Sequence, residues 1–385
     1  MDRRARIPSG HEVELPAHLP DAVSWIGKCI AMVDLVYDEL FLHHGEAWHP
    51  ENRGRLECIV SQLRASGCWA TLKRLQHGPA TPEEAAWVHD PYYVETLQEL
   101  SQSGGGEFGR ETHATAETYD AAMLAAGGCI AAARVAVAET QGDDGEGARS
   151  ICLVRPPGHH ATADRAMGFC FFNNVALAAE AALRSGLQRV AIVDFDVHHG
   201  NGTQDTFYHR RDVLFISLHE SPLYPGTGSL DEVGVEDGAG FTVNVPLPAY
   251  ACDEHYARAF DELVIPLLAQ YRPQFVFASA GYDAHHSDPL ARTNLSIGAF
   301  HRMTAALAAA SDEHAGGRLQ MVLEGGYDPQ WLALCVENTL RALERQAPLQ
   351  VEDEPAEVHA MQVDRIDAAL EHIIATHRSR LGLGG

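Results

Sequence analysis

Val190 to Gly202 reads VAIVDFDVHHGNG, an apolar run that gives way to two aspartates, two histidines and a Gly-Asn-Gly turn. Val190-Ala191-Ile192-Val193 has the length and composition of a buried parallel strand. Asp194, Asp196 and His198 follow at intervals of two, so an extended chain sets all three on one face at the strand's carboxyl end. Open α/β sheets keep their ligands there. Two carboxylates and an imidazole gathered in one space offer a divalent ion the oxygen and nitrogen donors it needs. The competing reading is that one aspartate caps the next helix and the histidines are ordinary core or surface groups. Three further motifs weigh against it.

Working outward, the same pattern repeats. A strand over Ser150 to Val154 runs into Arg155-Pro156-Pro157-Gly158-His159-His160, whose prolines end the strand and stiffen the turn that presents the histidines. Phe275 to Ser279 is followed by Ala-Gly-Tyr and Asp283, and Leu319 to Leu323 by Glu-Gly-Gly and Tyr327. Strands alternating with helices predict an α/β fold: a single domain built on a parallel sheet with helices on both faces, its site at the carboxyl ends of the strands. Residues 1–31 read as an irregular arm, 32–350 as the catalytic domain, and 351–385 as an acidic linker and a C-terminal helix packed on the same domain. A strand is expected over Ala31 to Phe41, a loop at Ser103 to Glu107, and an Ala-rich helix over Tyr119 to Thr140 in which Gly127-Gly128 imply close helix packing. Thr81-Pro82-Glu83-Glu84 is a capping box that starts a helix.

Composition narrows the class. With 46% apolar and 21% charged residues, no evident bilayer-spanning run and no apolar segment behind the basic start MDRRARIPSG, the expectation is a cytoplasmic enzyme without a membrane. The eight cysteines are scattered, with no C-x-x-C pair, and read as reduced thiols. A formal charge of −25 argues against direct nucleic-acid binding and favours cationic partners. An oligomer is compatible with all of this.

Asp196, His198 and Asp283 as three ligands leave a metal an open position for water and a carbonyl oxygen. The histidine pair can take a proton from that water and return it to a leaving amine, and Tyr327 can donate to a developing oxyanion. These parts describe metal-assisted amide hydrolysis without a covalent intermediate. A binuclear hydrolase would need more ligands than the sequence supplies. The Asp-His-Asp set accepts Fe²⁺ or Co²⁺ as well as Zn²⁺.

RPPGHHA, GFCFFNN, VDFDVHHGNGTQD, SLH, YPGTG, SAGYDAHHSDP and LEGGYD, in this order, resemble the zinc-dependent histone deacetylase family with its arginase-like α/β fold. The resemblance runs from about residue 32 to 345 and is nearest the class II branch and its bacterial relatives, which include acetylpolyamine amidohydrolases. It implies one zinc ion on Asp196, His198 and Asp283, His160 as general base and acid, and His159 as its electrostatic companion held by Asp194. Tyr327 would polarise the acyl carbonyl, and Asn201 stands where the class I branch has an aspartate. The resemblance also implies potassium near Asp194, Asp196, His198, Ser217 and Leu218. Gly168-Phe169 and Tyr224 match the walls of an acyl-lysine channel. Leu290 stands where a polyamine-selective relative would carry a glutamate. The expected substrate is acylated lysine in a protein or peptide, or a small acylated amine; an acetylpolyamine amidohydrolase and a catalytically weak acyl-lysine binding module are the alternatives. Among the other histidines, His285 and His286 are expected in a solvated loop, His43, His44, His49, His89 and His219 as surface or core groups, and His372 and His377 facing solvent.

Overall fold

The computed structural model describes residues 32–109, 111–139 and 148–382. The expected arm over residues 1–31 and the loop at 141–147 lie outside the described residues. An eight-stranded parallel sheet forms the centre. In chain order its strands are β1 (Asp34–Val36), β2 (Lys73–Arg74), β5 (Arg149–Cys152), β6 (Val190–Asp194), β7 (Val213–Glu220), β8 (Thr242–Leu247), β9 (Val276–Ala280) and β10 (Leu319–Leu323). Between β2 and β5 a separate antiparallel pair, β3 (Gly105–Glu107) and β4 (His113–Thr115), stands where a loop is expected at Ser103 to Glu107.

Across the sheet the order is β2-β1-β5-β10-β9-β6-β7-β8. The four strands whose ends carry conspicuous residues, β5, β10, β9 and β6, are therefore contiguous in the middle. Every residue of these four strands is buried, because helices cover both faces of a parallel sheet and leave no polar side. Their parallel register brings Asp194 opposite Ser279 and Leu323 opposite Ala280, so the loops beyond them emerge on one rim.

Three local expectations are corrected. The strand expected over Ala31 to Phe41 is only Asp34–Val36; Asp38 then caps a 3₁₀ turn at Glu39–Leu42, its side chain accepting from Leu40 N. The helix Thr118–Glu139 is long and apolar enough to cross a membrane, yet most of it is buried inside the domain. Gly127 and Gly128 do allow close approach, but to a loop and a strand: a Cβ on Gly127 would lie 2.1 Å from Gly78 O, and one on Gly128 2.4 Å from a Val36 methyl. The capping box forms at Thr81 as expected, although the helix that it starts, Pro82–Ala85, is four residues long.

At the far edge, β8 is covered by the helix Ala360–Leu381, which buries Ile366, Leu370, Ile373 and Ile374. His377 belongs to this buried stripe. Its Nε2 lies 2.8 Å from Asn244 O on β8, so the expectation that it faces solvent is wrong, whereas His372 is exposed. A polar side chain on an amphipathic helix satisfies an edge-strand carbonyl that water would otherwise take.

Candidate active site

Asp194 is the last residue of β6, and beyond it the chain does not stay extended. Asp194 Oδ1 accepts from Asp196 N at 3.1 Å, and Asp196 Oδ1 accepts from His198 N at 2.9 Å. Two successive aspartate turns of this kind fold the backbone tightly. They also divide the three side chains that period-two spacing sets together. Asp194 turns to His159, with its Oδ2 3.0 Å from Nδ1. Asp196 and His198 turn to Asp283.

Asp196, His198 and Asp283 present ligand atoms within 4.8 Å of one another. His198 Nδ1 is 3.2 Å from Asp196 Oδ1 and 3.1 Å from Asp283 Oδ2. The remaining carboxylate oxygens are occupied by backbone donors, Gly325 N on Asp196 Oδ2 at 2.8 Å and Val197 N on Asp283 Oδ1 at 3.0 Å. Burial opposes a charge on His198, but the hydrogen bonds and charges of Asp196 and Asp283 raise it to about 10. Two buried carboxylates thus demand a cation between them, and one nitrogen with two oxygens suits a divalent transition ion in place of that proton. The wall is backbone: a Cβ on Gly325 would sit 2.0 Å from Asp283 Oδ2.

The two histidines after Pro157 have different partners. Asn201 Nδ2 donates to His160 O at 3.3 Å, which orients the amide so that Oδ1 meets His160 Nδ1 at 2.8 Å. Nδ1 then carries the proton and Nε2 keeps its lone pair. Burial, together with the nearby His159 and His198, pushes His160 well below the ordinary histidine range. His159 donates from Nδ1 to Asp194; against the effect of burial, the charges of Asp196 and Asp194 raise it to about 10. Asp194 itself is raised by burial to about 6, despite His159 beside it.

Tyr327 lies near the same aspartates, close enough for the charges of Asp283 and Asp196 to act on its phenol. Burial pushes its phenol well above the usual range, with Arg55 pulling the other way, so it stays a hydroxyl donor. Phe169 meets its ring edge-on at 5.8 Å, and Tyr224 meets His160 edge-on at 5.2 Å and His198 at 6.3 Å. Phe169 and Tyr224, the residues expected to line a channel, thus lie beside the site. Phe169 adopts a left-handed φ of +68°, an uncommon conformation for a bulky residue. Gly168 before it, at φ +55°, leaves room for the His160 ring, since a Cβ there would lie 2.2 Å from Cδ2. Leu290 is half-buried in the turn after Asp288, whose Oδ1 accepts its N–H at 2.9 Å. Leu218 is buried on β7, and Ser217 Oγ lies 3.0 Å from His219 Nδ1.

Several supports are absent from the sequence reading. Arg55, fully buried, donates to Gly326 O at 2.7 Å and Glu324 O at 2.5 Å, and its guanidinium lies 5.1 Å from the Tyr327 ring centroid. Glu51 pairs with Arg55 at 2.8 Å and with Arg155 at 2.5 Å, locking HPENRGR to RPPGHH. Glu324 Oε2 accepts from Gly158 N and His159 N, and Asp288 Oδ2 accepts from Tyr327 N at 2.6 Å. Burial raises Glu324 to about 7; Asp288, buried beside Asp283, is also raised to about 7. Arg55 and Glu51 lie in the polar stretch His49 to Arg55, HPENRGR, and only their partners elsewhere in the chain reveal that they are buried.

Residues 49–343 match the histone deacetylase domain family. The chain is 43% identical over 293 residues to the histone deacetylase-like amidohydrolase of Pseudomonas aeruginosa, covering 76% of this chain and 75% of that protein. It is 40% identical over 296 residues to a protein of Archaeoglobus fulgidus described as a probable deacetylase, covering 76% and 80%. Among solved structures, the crystal structure of the HDA15 HD domain superposes with a TM-score of 0.78 at 34% identity, over 93% of this chain and all of that one. With its parallel sheet, its rim of aspartates and histidines and these matches, the chain is a hydrolase that belongs to the histone deacetylase family.

Proposed function

We propose that the protein removes acetyl or other acyl groups from the ε-amino group of lysine in proteins or peptides. The observation that carries this reading is the pair of aromatic walls, Phe169 against Tyr327 and Tyr224 against His160 and His198. Apolar walls suit a lysine stem, each methylene of which gains about 0.8 kcal/mol on full burial. A net charge of −25 suits cationic protein segments.

The family is generally zinc-dependent, and Asp196, His198 and Asp283 are the residues that would hold the ion. When bound, such an ion supplies a Lewis acid that polarises a carbonyl and acidifies water. The chain's own residues do the rest. His160, neutral and with its Nε2 lone pair directed by Asn201, takes the water's proton and returns it to the departing amine. His159 holds positive charge beside it, oriented by Asp194. The Tyr327 hydroxyl donates a hydrogen bond to the acyl oxygen, and Arg55 and Asp288 keep its loop in place. A potassium ion near Asp194, Ser217 and Leu218 rests on the family resemblance alone, and a rate titration against K⁺ tests it.

The polyamine reading uses the same rim with a charged entrance. Leu290 offers no charge in the turn after Asp288, which favours lysine. Initial rates on acetyl-, trifluoroacetyl- and longer acyl-lysine peptides beside N-acetylputrescine and N-acetylspermidine, with and without chelator, decide between them. Chelator-sensitive turnover of the peptides with little on the polyamines is expected. The reverse preference overturns the lysine assignment, and turnover of no substrate with metal bound favours a binding module.

A further inference from the structure

A second group of metal-type donors stands next to the rim. His285 and His286 follow Asp283 by two and three residues, and Asp353 reaches them from the acidic linker that precedes the C-terminal helix. They are not the solvated loop that the sequence suggests: His285 is 2% exposed. The two imidazoles lie 4.4 Å apart, and the Trp331 ring stacks on His285 at 4.8 Å and 25°. Both Nε2 atoms face the same carboxylate oxygen. His286 Nε2 is 2.6 Å and His285 Nε2 3.4 Å from Asp353 Oδ1, while Asp353 Oδ2 is fixed by Ile297 N at 2.6 Å.

Protein groups alone leave this arrangement incomplete. His285 Nε2 is buried and makes no hydrogen bond. With the proton on Nε2, its donor finds no acceptor in bonding geometry. Ser287 N–H donates to Nδ1 at 3.2 Å when Nδ1 is unprotonated; with the proton on Nδ1 instead, Ser287 Oγ can accept it at 2.9 Å, but Ser287 N loses its acceptor and the Nε2 lone pair faces a carboxylate oxygen across 3.4 Å. A cation between the three atoms takes up the Nε2 lone pairs and the carboxylate charge, and Ser287 Oγ then accepts from the far nitrogen of His285, an oxygen acceptor of the kind that orients a metal-bound imidazole. His286, with 17% of its side chain exposed, leaves a path for the ion and for water.

We propose that His285 Nε2, His286 Nε2 and Asp353 Oδ1 form a second, structural site for a zinc-class divalent ion, separate from Asp196, His198 and Asp283. Two imidazole nitrogens and one carboxylate oxygen select borderline transition ions over Mg²⁺ or Ca²⁺. The ion clasps the linker to the turn between β9 and the helix Ile297–His314. That linker is already held there by Asn294, which exchanges hydrogen bonds with Ala356 N at 3.1 Å and Ala356 O at 2.8 Å.

Equilibrium dialysis of the full chain against micromolar Zn²⁺, followed by elemental analysis, tests the site. Two zinc ions per wild-type chain are expected, and one in His286→Ala and in Asp353→Asn. Asp353→Asn keeps an acceptor for Ile297 N, so it separates a lost ligand from a lost linker contact. Asp196→Ala should also hold one, and Asp196→Ala combined with Asp353→Asn none. Two ions in Asp196→Ala would count against the catalytic metal assignment and leave this one standing. Co²⁺ gives an independent reading: the second equivalent should quench tryptophan fluorescence in the wild type, and Trp331→Phe should lose that quenching. A zinc count in His286→Ala and Asp353→Asn equal to that of the wild type, whether one or two, overturns the proposal.

Discussion

His159 and His160 are consecutive residues in one turn, with ring centroids 4.0 Å apart, yet they are held in opposite protonation states. Burial pulls both toward the neutral form. At His159 the charges of Asp196 and Asp194, with the Asp194 hydrogen bond, prevail and raise it to about 10. At His160 burial is reinforced by His159 and His198, and the amide of Asn201 brings no charge to reverse it. Identical side chains in nearly identical places therefore gain different chemistry from their partners. One is a fixed positive charge; the other is an acceptor ready to take a proton.

The largest expected effect follows from removing the acceptor. His160→Ala should lower kcat by about 10²–10⁴, with metal content unchanged by elemental analysis. A fall of less than tenfold would transfer the base role elsewhere. Asp194→Asn comes next, since it gives both histidines an amide partner and reduces the asymmetry to what the charge of Asp196 sustains. His159 loses much of its charge, and kcat should fall about 10–100-fold, the range typical of orienting partners around a metal site, with KM little changed. Its pH profile adds a separate sign: with less repulsion from His159, His160 protonates more readily, so the acid limb of kcat/KM moves to higher pH. An unchanged kcat would show that Asp194 does not tune the pair and that Asp196 alone sustains the charge on His159.

Both members of this pair are legible in the sequence; their pairing is not. His159, His160, Asp194 and Asn201 sit in short motifs at strand ends, where an apolar run stops and polar residues follow within a few positions. The strands β5, β6, β9 and β10 were visible for the same reason, within one or two residues of their bounds. Local pattern does not encode which motif residue meets which. Period-two spacing put Asp194 with the metal donors, and the aspartate turns that send it to His159 instead are tertiary in their consequence. Short edge strands such as β2, and the strand β8 after its Gly-rich loop, lack a long apolar run and give no such signal. Arg55, Glu51 and Asp353 are charged residues in polar stretches, and their burial depends on partners up to 271 positions away.

Asn201→Asp is the smallest and most pointed change, because it places a carboxylate beside His160 with almost no change of shape. Asn201 Oδ1 already accepts from Nδ1 at 2.8 Å, so the aspartate can keep that hydrogen bond and add only charge. In the wild type His160 lies well below its ordinary value; it is neutral at pH 7, and activity is lost only as pH falls through that lowered pKa. The acid limb of kcat/KM should therefore lie below the unperturbed histidine value of about 6.5. A neighbouring negative charge favours the imidazolium, so the variant's limb should move up by about one pH unit. Above that limb the more basic imidazole is the better proton acceptor, and kcat at pH 8 should be equal or higher. A limb that stays in place would mean that the charge of the Nδ1 partner does not set the protonation of His160, and the contrast with His159 would then have to come from Asp196 alone.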